Sequence, residues 1–86
     1  MSHYEKSEEY YEDGKYDLAV TAFSKAIQLD PDDASAYHER GASYADLGQY
    51  QTAIADFTKA IQLEPDTPDS QAAERFVQEV VPLLRD

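Results

Sequence analysis

Apolar and small residues recur at the helical period along most of the chain, in blocks separated by glycine or proline. The clearest block is residues 34–65, which holds two helical patterns joined by a tight turn. Over residues 34–47 the uncharged or aromatic positions Tyr37, Gly41, Tyr44 and Ala45 share one face of an amphipathic helix. Asp33 stands just before it, where a carboxylate accepts from the free N–H groups of a first turn. Gly48 predicts its end, because glycine enters the left-handed conformation without a Cβ clash. A second helix is predicted over residues 50–63, with Ala53, Ile54, Phe57, Ala60 and Ile61 on its inner face, and Pro65 forbids its continuation. Gly41 should face Ala53 and Ala60, letting the two backbones approach while Tyr37, Tyr44 and Phe57 fill the flanks of an antiparallel hairpin.

The flanking chain repeats the scheme. Residues 2–13 read as a helix with Ser2 as its cap, Tyr10 on the core side, and Tyr4 and Tyr11 on another side. Residues 16–29 carry the apolar stripe Ala19, Val20, Phe23, Ala26 and Ile27. After the second hairpin, Pro68, Asp69 and Ser70 read as a turn and helix cap. Ala72, Ala73, Phe76, Val77, Val80 and Val81 then recur at helical spacing until Pro82 ends or bends the helix. Val80, Val81, Leu83 and Leu84 form an apolar edge suited to self-association or to a further repeat.

A shift of 34 positions superposes the chain on itself: Tyr10 on Tyr44, Gly14 on Gly48, Tyr16 on Tyr50, Ala19 on Ala53 and Phe23 on Phe57. The run Lys25-Ala26-Ile27-Gln28-Leu29 falls on Lys59-Ala60-Ile61-Gln62-Leu63, and Pro31-Asp32 on Pro65-Asp66. A fixed period of this size marks a stacked repeat, in which hairpins bury their apolar faces against one another. The pattern resembles the tetratricopeptide repeat, a unit of helix A, turn and helix B. Its signature falls on Tyr37, Gly41, Tyr44, Gly48, Tyr50, Ala53, Phe57, Ala60 and Pro65, and in the first repeat on Tyr10, Gly14, Tyr16, Ala19, Phe23, Ala26 and Pro31. Arg40 and Lys6 depart from the family's leucine, and their aliphatic stems are expected to cover apolar surface while the charge stays in water. Ser7 and His3 replace the family's small and aromatic residues in the first helix.

The resemblance implies an all-α fold: a right-handed superhelical stack of two hairpins and a capping helix, five helices in all. As one domain over residues 1–86, it divides into repeat one (1–33), repeat two (34–67) and the capping helix (68–86). Arg75 at the register of Gly41 favours a cap over a third full repeat, because no partner helix follows that would need close approach. An array of 86 residues is either a free-standing mini-module or a piece of a longer one.

Charge narrows the partners. Eighteen Asp and Glu against seven Lys and Arg give a net charge of −11, which argues against phosphate backbones and anionic membranes and allows a basic protein segment. There is no cysteine, so disulfides and thiolate sites are excluded, and cytoplasmic residence is expected. The acidic N-terminus lacks the apolar core of a signal peptide, and no apolar run is long enough for a membrane span.

No catalytic motif is present: there is no HExxH, Gly-rich phosphate loop, GxSxG or cysteine nucleophile. An EF-hand loop from Asp30 would need glycine and glutamate where Ser35 and Gly41 stand, so the cluster Asp30-Pro31-Asp32-Asp33 is a helix stop and cap. The histidines, His3 and His38, read as surface residues of the two A helices, and no cofactor or metal is expected.

In the family the A helices line a concave groove that holds a peptide or partner helix. Carried over by register, the peptide-binding residues are Tyr4, Glu8, Tyr11, Glu12, His38, Ala42, Ala45, Asp46 and Phe76. Some members grip a C-terminal carboxylate with cationic side chains at positions that hold Tyr4, Glu8, Ala42, Asp69 and Ala73 here, so no such clamp is expected. The expected function is non-catalytic binding of a basic peptide, with oligomerisation through the C-terminal edge as the alternative.

Overall fold

The computed structural model describes the backbone of residues 3–85 and the side chains of residues 7–85. Ser2 lies outside these residues, as do the side chains of His3, Tyr4 and Lys6. The described residues form five α-helices: α1 (His3–Glu12), α2 (Tyr16–Leu29), α3 (Ala34–Asp46), α4 (Tyr50–Leu63) and α5 (Pro68–Val80). A 3-10 turn over Val81–Leu84 follows, beginning at the residue before Pro82.

Local chemistry sets the boundaries twice over. Gly14 and Gly48 take φ of +74° and +79°, the left-handed region where a Cβ is strained. Each lets the chain fold back on the helix it ends. Gly14 and Lys15 donate to the carbonyls of Tyr11 and Tyr10 at 3.1 and 2.8 Å, and Gly48 and Gln49 to those of Ala45 and Tyr44 at 3.0 and 2.9 Å. These paired bonds satisfy carbonyls that the helix end would leave open. The acidic inter-repeat turn works as a stop and a cap. The Asp32 N–H donates to Asp30 Oδ1 at 3.2 Å, and Asp33 Oδ1 accepts from the Ala36 N–H at 3.1 Å.

The start of α5 differs from the sequence reading. Its cap is Thr67, whose Oγ1 accepts from the Ser70 N–H at 3.0 Å, with Pro68 already in the first turn. Proline suits that position because its missing N–H would have had no partner there. Ser70 is instead a buried residue whose hydroxyl donates to the Glu64 carbonyl, tying α5 to the end of α4.

Each helix packs on its sequence neighbours, and α3 also reaches α5, giving an elongated body of 42 × 26 × 19 Å. Small residues dominate the core: Ala19, Ala26, Ala34, Ala36, Ala53, Ala60 and Ala73 surround Phe23 and Phe57. Gly41 explains how α3 and α4 approach. A Cβ there would lie 3.0 Å from the Phe57 ring and 3.3 Å from the Ala53 carbonyl oxygen. The glycine therefore makes room for the Phe57 ring and for the backbone of Ala53, one of the two alanines the sequence reading put opposite it. Ser7, at the same register in the first repeat, is fully buried.

Arg40 overturns the expectation that its charge stays in water. Its Nε and Nη2 donate to Asp56 Oδ2 and Oδ1 at 2.8 and 2.7 Å, and its Nη1 donates to Ser24 Oγ at 3.1 Å. The side chains of Arg40 and Asp56 are only 20% and 7% exposed. The hydrogen bonds to Asp56 raise the Arg40 pKa against the opposing effect of burial. The Tyr37 and Tyr44 rings flank the guanidinium at 5.6 and 6.0 Å. One side chain of α3 thus joins α2 of the first hairpin to α4 of the second.

Candidate peptide-binding groove

Helical spacing builds the concave face. On α1, Glu8, Tyr11 and Glu12 stand three and four positions apart, so they share one stripe, and on α3 the same spacing aligns His38 and Ala42 with Glu39 between them. The two stripes face one cavity of about 310 Å³, closed on a third side by Asp69 in the first turn of α5. Ala42 is the small residue among its walls.

Tyr11 fixes one rim. Its hydroxyl donates to Asp46 Oδ2 at 2.8 Å, and its ring meets the Tyr16 ring edge-on at 5.3 Å. Burial, together with the hydrogen bond and negative charge of Asp46, pushes its phenol up to about 12. The phenol therefore stays protonated and donating at any physiological pH.

His38 is the middle of the face, and it is half-buried rather than a surface residue. Its ring tilts against Phe57 with centroids 5.2 Å apart, and its buried Nδ1 has no hydrogen-bond partner among the described residues. Protonation would bury a second N–H in that position. Burial accordingly lowers the His38 pKa below 6.5, with the charge of Asp69 opposing it. The lowered pKa leaves the imidazole mainly neutral at pH 7, and the cavity is walled by Glu8, Glu12, Glu39 and Asp69 with no lysine or arginine among its described lining residues. Among the described residues no three His, Asp or Glu side chains converge as a metal site would require.

The structure thus brings Glu8, Tyr11, Glu12, His38 and Ala42 together. Asp46 sits exposed at the rim, engaged by Tyr11. Ala45 and Phe76 point elsewhere. Both pack on the cluster of Ala53, Phe57 and Ala73, with the Phe76 ring 4.9 Å from that of Phe57. The side chain of Tyr4 lies outside those described. Glu39 joins the lining although the register omits it; its signal was its place beside His38 and three residues before Ala42. Of the family's clamp positions, Glu8, Ala42 and Asp69 line the cavity and Ala73 is buried, and none is a cation.

Antiparallel helical hairpins, stacked in sequence order around a shared core with a concave face between them, define a helical-repeat scaffold for binding other proteins. Two family models match it, one described as TPR repeat over residues 8–48 and one as Tetratricopeptide repeat over residues 34–67. The chain belongs to the tetratricopeptide repeat family. Among solved structures it is similar to the Arabidopsis OM64 TPR domain, with 27% identity and a TM-score of 0.83 over 90% of this chain. It spans 64% of that domain's length. No curated protein matches the chain. Among the described residues no helix is long and apolar enough to cross a membrane.

Proposed function

We propose that this protein is a non-catalytic adaptor that holds a basic segment of a partner protein in the concave face of α1 and α3. The observation that carries the reading is the cavity itself, walled by four carboxylates from three helices and edged by the Tyr11 ring. Carboxylates attract lysine and arginine, and an aromatic rim adds cation–π contact and apolar cover for their stems. The same charge repels a C-terminal carboxylate, nucleic acid and anionic lipid. The absence of cysteine suits a reducing compartment, and the cytoplasm is the setting of this reading.

The test is fluorescence anisotropy with basic, neutral and acidic-tailed peptides at low and physiological salt. Basic peptides should bind, weaken with salt, and lose most of their affinity in Glu8→Lys and Glu12→Lys, both at exposed positions. Binding of acidic peptides in preference to basic ones would overturn the reading.

One observation favours a second role. Leu83 is 79% exposed and Leu84 38%, and Leu84 borders an open hollow with Tyr50, while Val80 and Val81 are half-buried. Self-association through this edge predicts a dimer in light scattering that Leu83→Asp and Leu84→Asp abolish.

A further inference from the structure

A second cavity of about 220 Å³ adjoins the first and shares two of its walls, His38 and Asp69. Its remaining polar lining includes Ser35, Glu64 and Thr67, again with no lysine or arginine among the described lining residues. The two cavities are therefore compartments of one cleft, with His38 and Asp69 at the waist. The neutral imidazole places no positive charge between them.

The offset between the compartments is set by α3. The first uses His38, Glu39 and Ala42, and the second uses Ala34, Ser35 and His38, so equivalent walls are four residues apart, from Ser35 to Glu39 and from His38 to Ala42. Four residues of helix advance about 6 Å. Two residues of an extended chain advance about 6.6 Å and return the side chain to the same face. The distances match, and adjacent side chains of an extended peptide cannot both point into the cleft.

We infer that the cleft has two cation subsites and selects an extended segment carrying basic side chains at positions i and i+2. One cation sits among Glu8, Glu12 and Glu39, the other beside Glu64, and Asp69 serves both. This rests on the acidic-groove reading above and sharpens it from charge to spacing.

The test compares two labelled alanine-based peptides of identical composition, one carrying Lys-Ala-Lys and the other Lys-Lys-Ala, by anisotropy at low salt. The first should bind about three- to fivefold more tightly, the difference that one additional partly exposed ion pair supplies. Glu64→Gln and Ser35→Phe both alter exposed side chains of the second compartment. Each should equalise the two peptides while leaving the helical circular dichroism unchanged. Equal binding of both peptides by the unaltered protein, or a preference that survives both variants, overturns the two-subsite inference and leaves the acidic groove standing. Binding of neither peptide removes the acidic groove and this inference together.

Discussion

Replacing Asp56 with alanine strips Arg40 of the carboxylate that holds it between the hairpins. Two charge-assisted hydrogen bonds of 2.8 and 2.7 Å disappear, while the bond to Ser24 and the flanking Tyr37 and Tyr44 rings remain. Orphaning one member of a buried ion pair costs about 3–5 kcal/mol. Arg40 keeps 20% of its side chain in solvent, so the cost falls below that range, to about 2–3 kcal/mol. A domain of this length has a total stability of about 4–13 kcal/mol, so the variant still folds, but its Tm drops by about 10–20 °C. Far-UV circular dichroism melts measure this directly. Because the pair is sheltered, raised salt should change the difference little. The double variant Arg40→Met with Asp56→Leu should recover most of the loss, since it removes the stranded charge as well as the pair. A Tm shift below about 2 °C for Asp56→Ala, or a double variant no better than the single, would refute the account of Arg40 and Asp56 as a sheltered ion pair that stabilises the fold.

Three other outcomes follow from the packing and the titrating groups. Gly41→Ala puts a methyl 3.0 Å from a Phe57 ring already held by His38 and Phe76. Its overpacking cost of about 1–3 kcal/mol outweighs the gain in helix propensity, so the urea midpoint should fall, and a rise would sink the close-approach account. His38 has a folded pKa below its unfolded value of 6.5, so the unfolded chain takes up the proton first as pH falls. Its contribution to stability is complete above pH 6.5 and is lost as pH drops from there toward the folded pKa. Urea midpoints at pH 7.5 and 5.5 should therefore diverge less in His38→Gln than in the unaltered protein. Finally, ultraviolet titration should show the Tyr11 phenol ionising late, at about pH 12. Tyr11→Phe should delete that step and cost roughly 0.5 kcal/mol for one exposed hydrogen bond.

Residues that break or redirect backbone were readable in advance. Gly14, Gly48, Pro31 and Pro65 punctuate the sequence so firmly that residues 16–29 and 50–63 are both the predicted and the observed helices. The 34-residue register likewise put Glu8, Tyr11, Glu12, His38 and Ala42 on one face. Side-chain pairing was not readable, because an ion pair depends on which residues of different helices come into reach. Asp56 is one of eighteen acidic residues, and composition makes any of them look solvated. A signal did exist: Ala53, Asp56, Phe57 and Ala60 lie on one buried helical stripe, so an acid at that position had to find a cation. The cap of α5 was misplaced by three residues for a related reason. Thr67 and Ser70 are both good caps by composition, and only the burial of Ser70 against Glu64 decides between them.

The tie between the hairpins also bears on how longer arrays can be built from this chain. The 34-residue shift carries Ser24 onto Thr58, another hydroxyl, but carries Lys6 and Ala22 onto Arg40 and Asp56. Copies of residues 34–67 joined head to tail would therefore bring every component of the tie to every junction: a guanidinium, a carboxylate within the same unit, and a hydroxyl from the unit before. Copies of the first repeat would bring an amine and an alanine instead. The second repeat thus carries a polar lock that its own copies would renew at each junction, whereas copies of the first would stack without it.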